Sequence, residues 1–343
     1  MEAILLAGGF GTRLRPLTYT RAKPLLPILN KPMIMHIIDM LPDEADKIIL
    51  AVNYRKEQLE KYFKENECGK EIVINDEPKP LGTGGAVKFA EKHITDSFLV
   101  LNSDIICSLD LNKMIEFHKK KNAVSTISLW PVENVSEFGV ADVKKDGKIV
   151  DFVEKPRPEE APSNLINAGA YFLDPMVLDY IETGRLVSME KEIFPQIIKD
   201  TGRFYGYKFH GYWMDIGRIS SYLNAHRFLL RENKIKNCVG ENCDLNNGII
   251  DKTCIGNNVI VEEKTEIKLS VIYDNVKIGN NSVLFNCVIG ENCRIGSNSI
   301  LKNVVAGDNE EIKPDSNLEN ISIWSQPIPE GYPSKQVGNV VKE

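Results

Sequence analysis

The chain has 343 residues, 43% of them hydrophobic and 26% charged, a composition that can bury a sizeable core and excludes a disordered, collagen-like or disulfide-stapled chain. A formal net charge of -6 leaves no basic stripe for a nucleic-acid backbone, so phosphate recognition must be local, and small phosphorylated ligands fit better than polymers. Seven cysteines without a C-x-x-C pair point to small buried side chains in a reducing, cytoplasmic setting. The apolar stretch from Ala3 to Ala7 is too short for a signal peptide, and no apolar run is long enough to predict a membrane span.

Apolar runs open the chain as AILLA from Ala3, KIILAV from Lys47, EIVIN from Glu71 and FLVLN from Phe98, with helical text over 33–41, 56–64, 85–92 and 111–121. This alternation predicts βαβ units and an open, mainly parallel sheet covered on both faces, with ligands at the carboxyl ends of its strands. A second set of strands follows, with a hairpin-like Asp146-Gly147, then helices over 189–199 and 218–230, so a first domain of 1–232 is expected.

Beyond Glu232 the period changes. Aliphatic residues recur every five or six positions, from Val239 through Ile250, Val261, Ile272, Leu284 and Ile295 to Leu301. Glycines directly follow several of them, and small residues such as Cys243, Thr265, Ser282 and Ser299 mark one corner. Such a period predicts a parallel β-helix of hexapeptide repeats over 237–305, with glycine or asparagine at the corners. The remainder, 306–343, with Trp324, Pro327, Pro329 and Pro333, reads as an extended segment packing back on the coils.

The chemistry is expected where the first strand ends, in LLAGGFGTRLRPLT from Leu5. Gly8, Gly9 and Gly11 let backbone N–H groups converge on an anion, and Arg13 adds fixed charge. The stretch is neither a P-loop nor a dinucleotide fingerprint, since Leu14 stands where a third glycine is needed, so hydride transfer loses ground. Lys23 follows in AKPLLPILNKPM, where Pro24 and Pro27 stiffen the backbone around it.

The pattern G-G-x-G-T-R-L-x-P-x-T, followed by K-P and then K-P-M, resembles the sugar-phosphate nucleotidyltransferase family, in its mannose-1-phosphate guanylyltransferase branch. PLGTGGAV at Pro80, LNSDI at Leu101, FGVADV at Phe138, FVEKP at Phe152, INAGAYFLDP at Ile166, MEKEIFP at Met189 and GYWMDIG at Gly211 extend the likeness over nearly the whole chain. It implies a Rossmann-like domain followed by a left-handed β-helix. Asp104 and Asp215 match the carboxylates that hold magnesium, and Arg13 and Lys23 match residues that grip the triphosphate. Leu6, Ala7, Gly8, Gly9, Gly11, Thr12, Glu77 and Gly82 match the nucleotide site, while Gly139, Glu154, Lys155 and Asn167 match groups that bind the sugar phosphate.

The expected reaction joins a nucleoside triphosphate to a hexose-1-phosphate and needs no general base, because a sugar phosphate is already largely dianionic at neutral pH, its second pKa being ~6. Glu77 bears on the base: thymidylyl-transferring relatives have glutamine there, whereas a carboxylate has only acceptors and matches the paired N–H donors of guanine, pointing to GTP. Pro78 and Lys79 depart from that branch, and LLPILNKP looks like bacterial thymidylyl and uridylyl relatives, so glucose-1-phosphate thymidylyl or uridylyl transfer stays open. A non-catalytic sugar-nucleotide sensor is the alternative of another class. The five histidines show no metal or triad spacing and read as helix-surface or strand residues. None follows His226, so an acyltransferase activity is not expected in the coils, which read as structural and as a surface for homo-oligomer formation.

Overall fold

A computed structural model describes residues 1–330, 332 and 340–341. The chain divides into two compact units, Met1–Gly9 with Ile34–Met214, and Phe10–Met33 with Asp215–Glu343. The sequence placed one boundary near Glu232 and another after residue 305. The structure instead groups the segment 10–33 and the residues from Asp215 onward with the repeats.

In the first unit, Glu2–Leu6 lies between Lys47–Val52 and Phe98–Asn102, and Lys47–Val52 also pairs with Glu71–Asp76, all in parallel. Ile48 to Val52 are buried without alternation, as a parallel strand covered on both faces requires. An antiparallel half continues the sheet, with Leu165–Leu173 pairing Phe98–Asn102 and Ser125–Pro131. Gly139–Val143 and Ile149–Glu154 form the hairpin expected at Asp146-Gly147, where Gly147 has φ 89°.

Helix Leu111–Lys121 matches its expected bounds, because Asp110 accepts the Lys113 N–H at its start and Asn122 takes a left-handed conformation at its end. Helix Gly82–Phe89 starts three residues earlier than expected, since the Val187 carbonyl accepts the Gly84 N–H at 2.9 Å, a contact no local pattern reveals. The text read as one helix over 189–199 divides into a π-helical turn, Met189–Ile193, and the α-helix Phe194–Thr201, with Pro195 unable to donate an N–H into the preceding turn.

His118 corrects the surface reading of the histidines: it is 5% exposed, with Nδ1 2.9 Å from Thr126 Oγ1 and its ring edge-on to Phe172. Burial pushes its pKa down to about 4. The unfolded chain therefore binds a proton below about pH 6.5 that the folded chain refuses until about pH 4. The stability at stake, on the order of 3 kcal/mol, is present above pH 6.5 and lost as pH falls toward 4. Urea titrations between pH 7 and 4.5 should show a flatter pH dependence for His118→Gln than for the wild type; parallel profiles would contradict this.

In the second unit the repeats form three parallel ladders of seven, five and four strands, the arrangement of a left-handed parallel β-helix. Cys254 pairs with Val271, Val271 with Val288 and Val288 with Val305, so a coil takes seventeen residues rather than three full hexads. Ile255, Ile272, Ile289, Val261, Ile278, Ile295, Ile267, Leu284 and Leu301 fill the interior. Asparagines occupy the left-handed corners and bond to one another along the axis, as in Asn286 to Asn303 to Asn320 at 2.6 Å each.

Val239, first of the aliphatic column, is 45% exposed at the initial coil. The ladders continue past 305 to Ser322–Ile323, so residues 306–323 are coil, and Trp324 is where the extension begins. Pro333 lies outside the described residues. His226, also expected at a surface, is buried with Nδ1 3.1 Å from Cys254 Sγ. The segment 10–33 lies along the coils, with Arg21 paired to Glu291 at 2.5 Å and Thr20 donating to Asp308 at 2.6 Å.

Candidate active site

The carboxyl ends of the parallel strands gather most of the expected nucleotide residues of the first unit. Leu6 ends the first strand, and its carbonyl accepts from both the N–H and the hydroxyl of Ser103, at 3.2 and 2.7 Å, which places Asp104 in the adjoining turn. Ala7 donates to the Ala51 carbonyl, and Gly8 lies against Asn53, whose amide donates to the Glu77 carbonyl at 3.0 Å. Gly9 is exposed with open space where a Cβ would stand. Glu77 is buried; Oε2 accepts the Leu81 N–H at 3.1 Å, and burial raises its pKa against the lowering by that bond. Gly82, at φ 74°, has a packing reason of its own, since a Cβ would meet the Val187 carbonyl at 2.5 Å.

The expected sugar-phosphate residues form a second cluster of the same unit. A Cβ on Gly139 would lie 2.3 Å from the Phe152 ring and 2.8 Å from Glu154 Oε2, so the missing side chain leaves room first for that ring and then for the carboxylate. Burial raises the pKa of Glu154, the neighbouring Glu190 adds to the rise, and Lys155, 3.6 Å away, opposes it. Asn167 donates to the Tyr171 hydroxyl at 2.8 Å and accepts the Gly169 N–H, while Tyr171 donates to Glu190 at 3.2 Å. Thr83 and Ser188 both donate to the other oxygen of Glu190 at 2.7 Å. The result is a partly buried patch of fixed acceptors and amide dipoles beside an exposed lysine, which suits hydroxyls next to an anion.

In the second unit, Gly11 has φ 64°, and a Cβ there would lie 2.8 Å from Thr18 Cγ2 and 3.2 Å from Lys23 Cβ, so the turn brings the glycine against the stem of Lys23. Thr12 and Arg13 follow in a short 3-10 turn, with Arg13 exposed. Arg13 and Asp215 flank one small space: a Cβ on Gly217 would meet Asp215 Oδ2 at 2.7 Å and Arg13 Nη2 at 2.8 Å. Asp215 closes strand Trp213–Asp215, which pairs with Ile105–Cys107, and both Asp104 and Asp215 are partly exposed.

Residues 2–232 match the family described as Nucleotidyl transferase, and residues 235–328 match the GMPPB C-terminal domain. The chain belongs to the nucleotidyl transferase family. It is 46% identical over 235 residues to a mannose-1-phosphate guanyltransferase of Yarrowia lipolytica, covering 66% of this chain and 63% of that protein, so the match spans slightly under two thirds of that relative. A mannose-1-phosphate guanylyltransferase catalytic subunit beta of Dictyostelium discoideum is 38% identical over 267 residues, 76% of this chain and 73% of its own. Among solved structures, HddC from Yersinia pseudotuberculosis complexed with GMP-PN has a TM-score of 0.55 and 32% identity, covering 65% of this chain and 97% of that one.

Within this nucleotidyl transferase, sequence reasoning missed Asn53, Thr83, Tyr171 and Glu190. The last two lie in INAGAYFLDP and MEKEIFP, quoted motifs whose inward members could not be told from their neighbours without the fold. Among the described residues no group of three or more His, Cys, Asp or Glu comes together as a metal cage. Asp104 and Asp215, taken singly, are each a partly exposed carboxylate of the kind magnesium accepts, since that ion takes one or two protein oxygens and completes its shell with water and substrate phosphates. Among the described residues no helix is long and apolar enough to cross a membrane.

Proposed function

We propose that this chain transfers a guanylyl group from GTP to mannose-1-phosphate, giving GDP-mannose and pyrophosphate. Family membership supports the reaction class, and relatives named for that activity support the sugar. The observation that carries the choice of base is Glu77, a buried carboxylate at the carboxyl edge of the parallel sheet, with acceptor capacity beyond its one bond to Leu81. Guanine offers adjacent N–H donors to such a group, whereas thymine and uracil need a donor and an acceptor together.

In the proposed reaction a phosphate oxygen of the sugar-1-phosphate attacks the α-phosphorus in line, the bond from α-phosphorus to the bridging oxygen of the β-phosphate breaks, and pyrophosphate leaves. No proton must be removed from the nucleophile and no covalent enzyme intermediate forms. Arg13 and Lys23 bind the triphosphate, and backbone N–H groups around Gly8, Gly9 and Gly11 help cradle it. Lys155 holds the sugar phosphate, while Glu154 and Asn167 fix the hexose hydroxyls, so the chain contributes by positioning and charge neutralisation. Asp104 and Asp215 would hold magnesium, which when bound neutralises charge on the reacting phosphates.

Free thiols at all seven cysteines suit a reducing, cytoplasmic compartment. Self-association through the β-helix belongs to the same reading, since Ile249, Phe285 and Ile300 stand exposed on one ladder.

Pyrophosphate release measured with magnesium across GTP, dTTP, UTP and ATP against mannose-1-phosphate and glucose-1-phosphate tests the proposal. Highest kcat/KM for GTP with mannose-1-phosphate is expected. Preference for dTTP or UTP with glucose-1-phosphate would replace the guanylyl reading, and silence from folded protein that binds a sugar nucleotide would leave the sensor.

A further inference from the structure

The loop that carries Gly11, Thr12 and Arg13 is a tight turn, with the Leu14 N–H donating to the Gly11 carbonyl at 2.9 Å. A residue more than three hundred positions later braces it. Tyr332, 7% exposed, places its hydroxyl 2.8 Å from the Phe10 carbonyl oxygen and 2.8 Å from Thr18 Oγ1, and Thr18 Oγ1 is 2.9 Å from the Gly11 carbonyl. Two hydroxyl protons serve these three contacts. The protons go to the Phe10 and Gly11 carbonyls directly, or one of them passes between the hydroxyls of Tyr332 and Thr18; in each arrangement the phenol bonds to at least one end of the turn, Phe10 or Thr18.

The ring adds to this. The Arg15 guanidinium lies 4.5 Å from its centroid, Tyr19 packs against it at 5.1 Å, and Trp324 packs on Tyr19 at 5.0 Å. Gly307 makes the space for Trp324, since a Cβ there would lie 2.5 Å from the indole.

We propose that Tyr332 is a positioning residue for the nucleotide: it holds the anion-cradling turn around Gly11 in its binding conformation, so that the extension after the coils sets triphosphate affinity. This rests on the reading of Gly8 to Lys23 as the triphosphate loop. A turn released from its brace spends less of its time competent, and apparent affinity falls by that fraction. The sugar-phosphate residues have partners inside the first unit, Lys155 with Glu154 and Asn167 with Tyr171, so the effect is expected to separate by substrate.

Tyr332→Phe keeps the ring and loses the hydroxyl, whereas Tyr332→Ala loses both. The KM for GTP should rise about five-fold in the first and about thirty-fold in the second, with the KM for mannose-1-phosphate within about two-fold of wild type. Equilibrium dialysis of GTP without sugar phosphate should show the same order of affinities, wild type above Phe above Ala. Unchanged GTP affinity in both variants, or both KM values rising together, would overturn the proposal. Should Tyr332→Ala fail to fold, Tyr332→Phe decides. A wild type that binds GTP in dialysis yet releases no pyrophosphate would defeat the catalytic reading alone, and the dialysis series would still decide the role of Tyr332.

Discussion

Asp104→Ala is expected to lower kcat for pyrophosphate release about 10³-fold while leaving the melting temperature close to that of the wild type, because in the proposed reaction its carboxylate serves the reacting phosphates, and the side chain is partly exposed. Asp104 follows Ser103, whose two bonds to the Leu6 carbonyl pin the end of strand Phe98–Asn102 to the end of Glu2–Leu6. Behind it, Gly169 at φ 81° allows its strand to approach Asn102, where a Cβ would lie 2.6 Å from the amide nitrogen. The turn is thus positioned by backbone and by neighbours, and losing the Asp104 side chain should remove charge without moving the frame. Asp104→Asn keeps the size and loses the charge, so a comparable loss identifies charge as the cause. Activity within three-fold of wild type in either variant would remove Asp104 from the site.

Glu77→Gln carries the second large effect. Glutamine retains an acceptor for the Leu81 N–H, so the start of helix Gly82–Phe89 should survive, but it replaces a group with acceptors only by a donor and an acceptor. The ratio of kcat/KM for GTP over dTTP should fall on the order of 10²-fold, the scale of discrimination from a paired hydrogen-bond contact to one base. A pH signature accompanies it. Burial raises the pKa of Glu77, so its carboxylate form is lost, as pH falls, sooner than that of an exposed glutamate. The KM for GTP in the wild type should therefore rise on the acid side, and the variant should lack that limb. An unchanged base preference would return the choice of nucleotide to other residues.

Much of the frame was legible. The unbroken apolar runs at Ala3, Lys47, Glu71 and Phe98 announced the parallel strands because both faces are covered, and the five- and six-residue spacing announced the coils. Helix faces carried more than was taken from them: His118 falls in register with buried Leu111, Met114 and Ile115, and His226 with buried Tyr222, Leu223 and Leu229, so both histidines sit on the apolar side. Their burial is what a helical stripe predicts.

What stayed hidden depends on contacts far apart in the chain. The early start of helix Gly82–Phe89 comes from Val187, the acceptor cluster of Asn167 and Tyr171 is completed by Glu190, and the glycine-rich turn is secured by Tyr332. A local pattern records none of these, because each joins two segments whose own text is satisfied without the other.

The most direct measurement is to incubate the protein with magnesium, GTP and mannose-1-phosphate and quantify both products. The account predicts GDP-mannose and pyrophosphate in equal amounts, with neither formed when one substrate is left out. Pyrophosphate without GDP-mannose, or no product from folded protein that binds GTP, would contradict it.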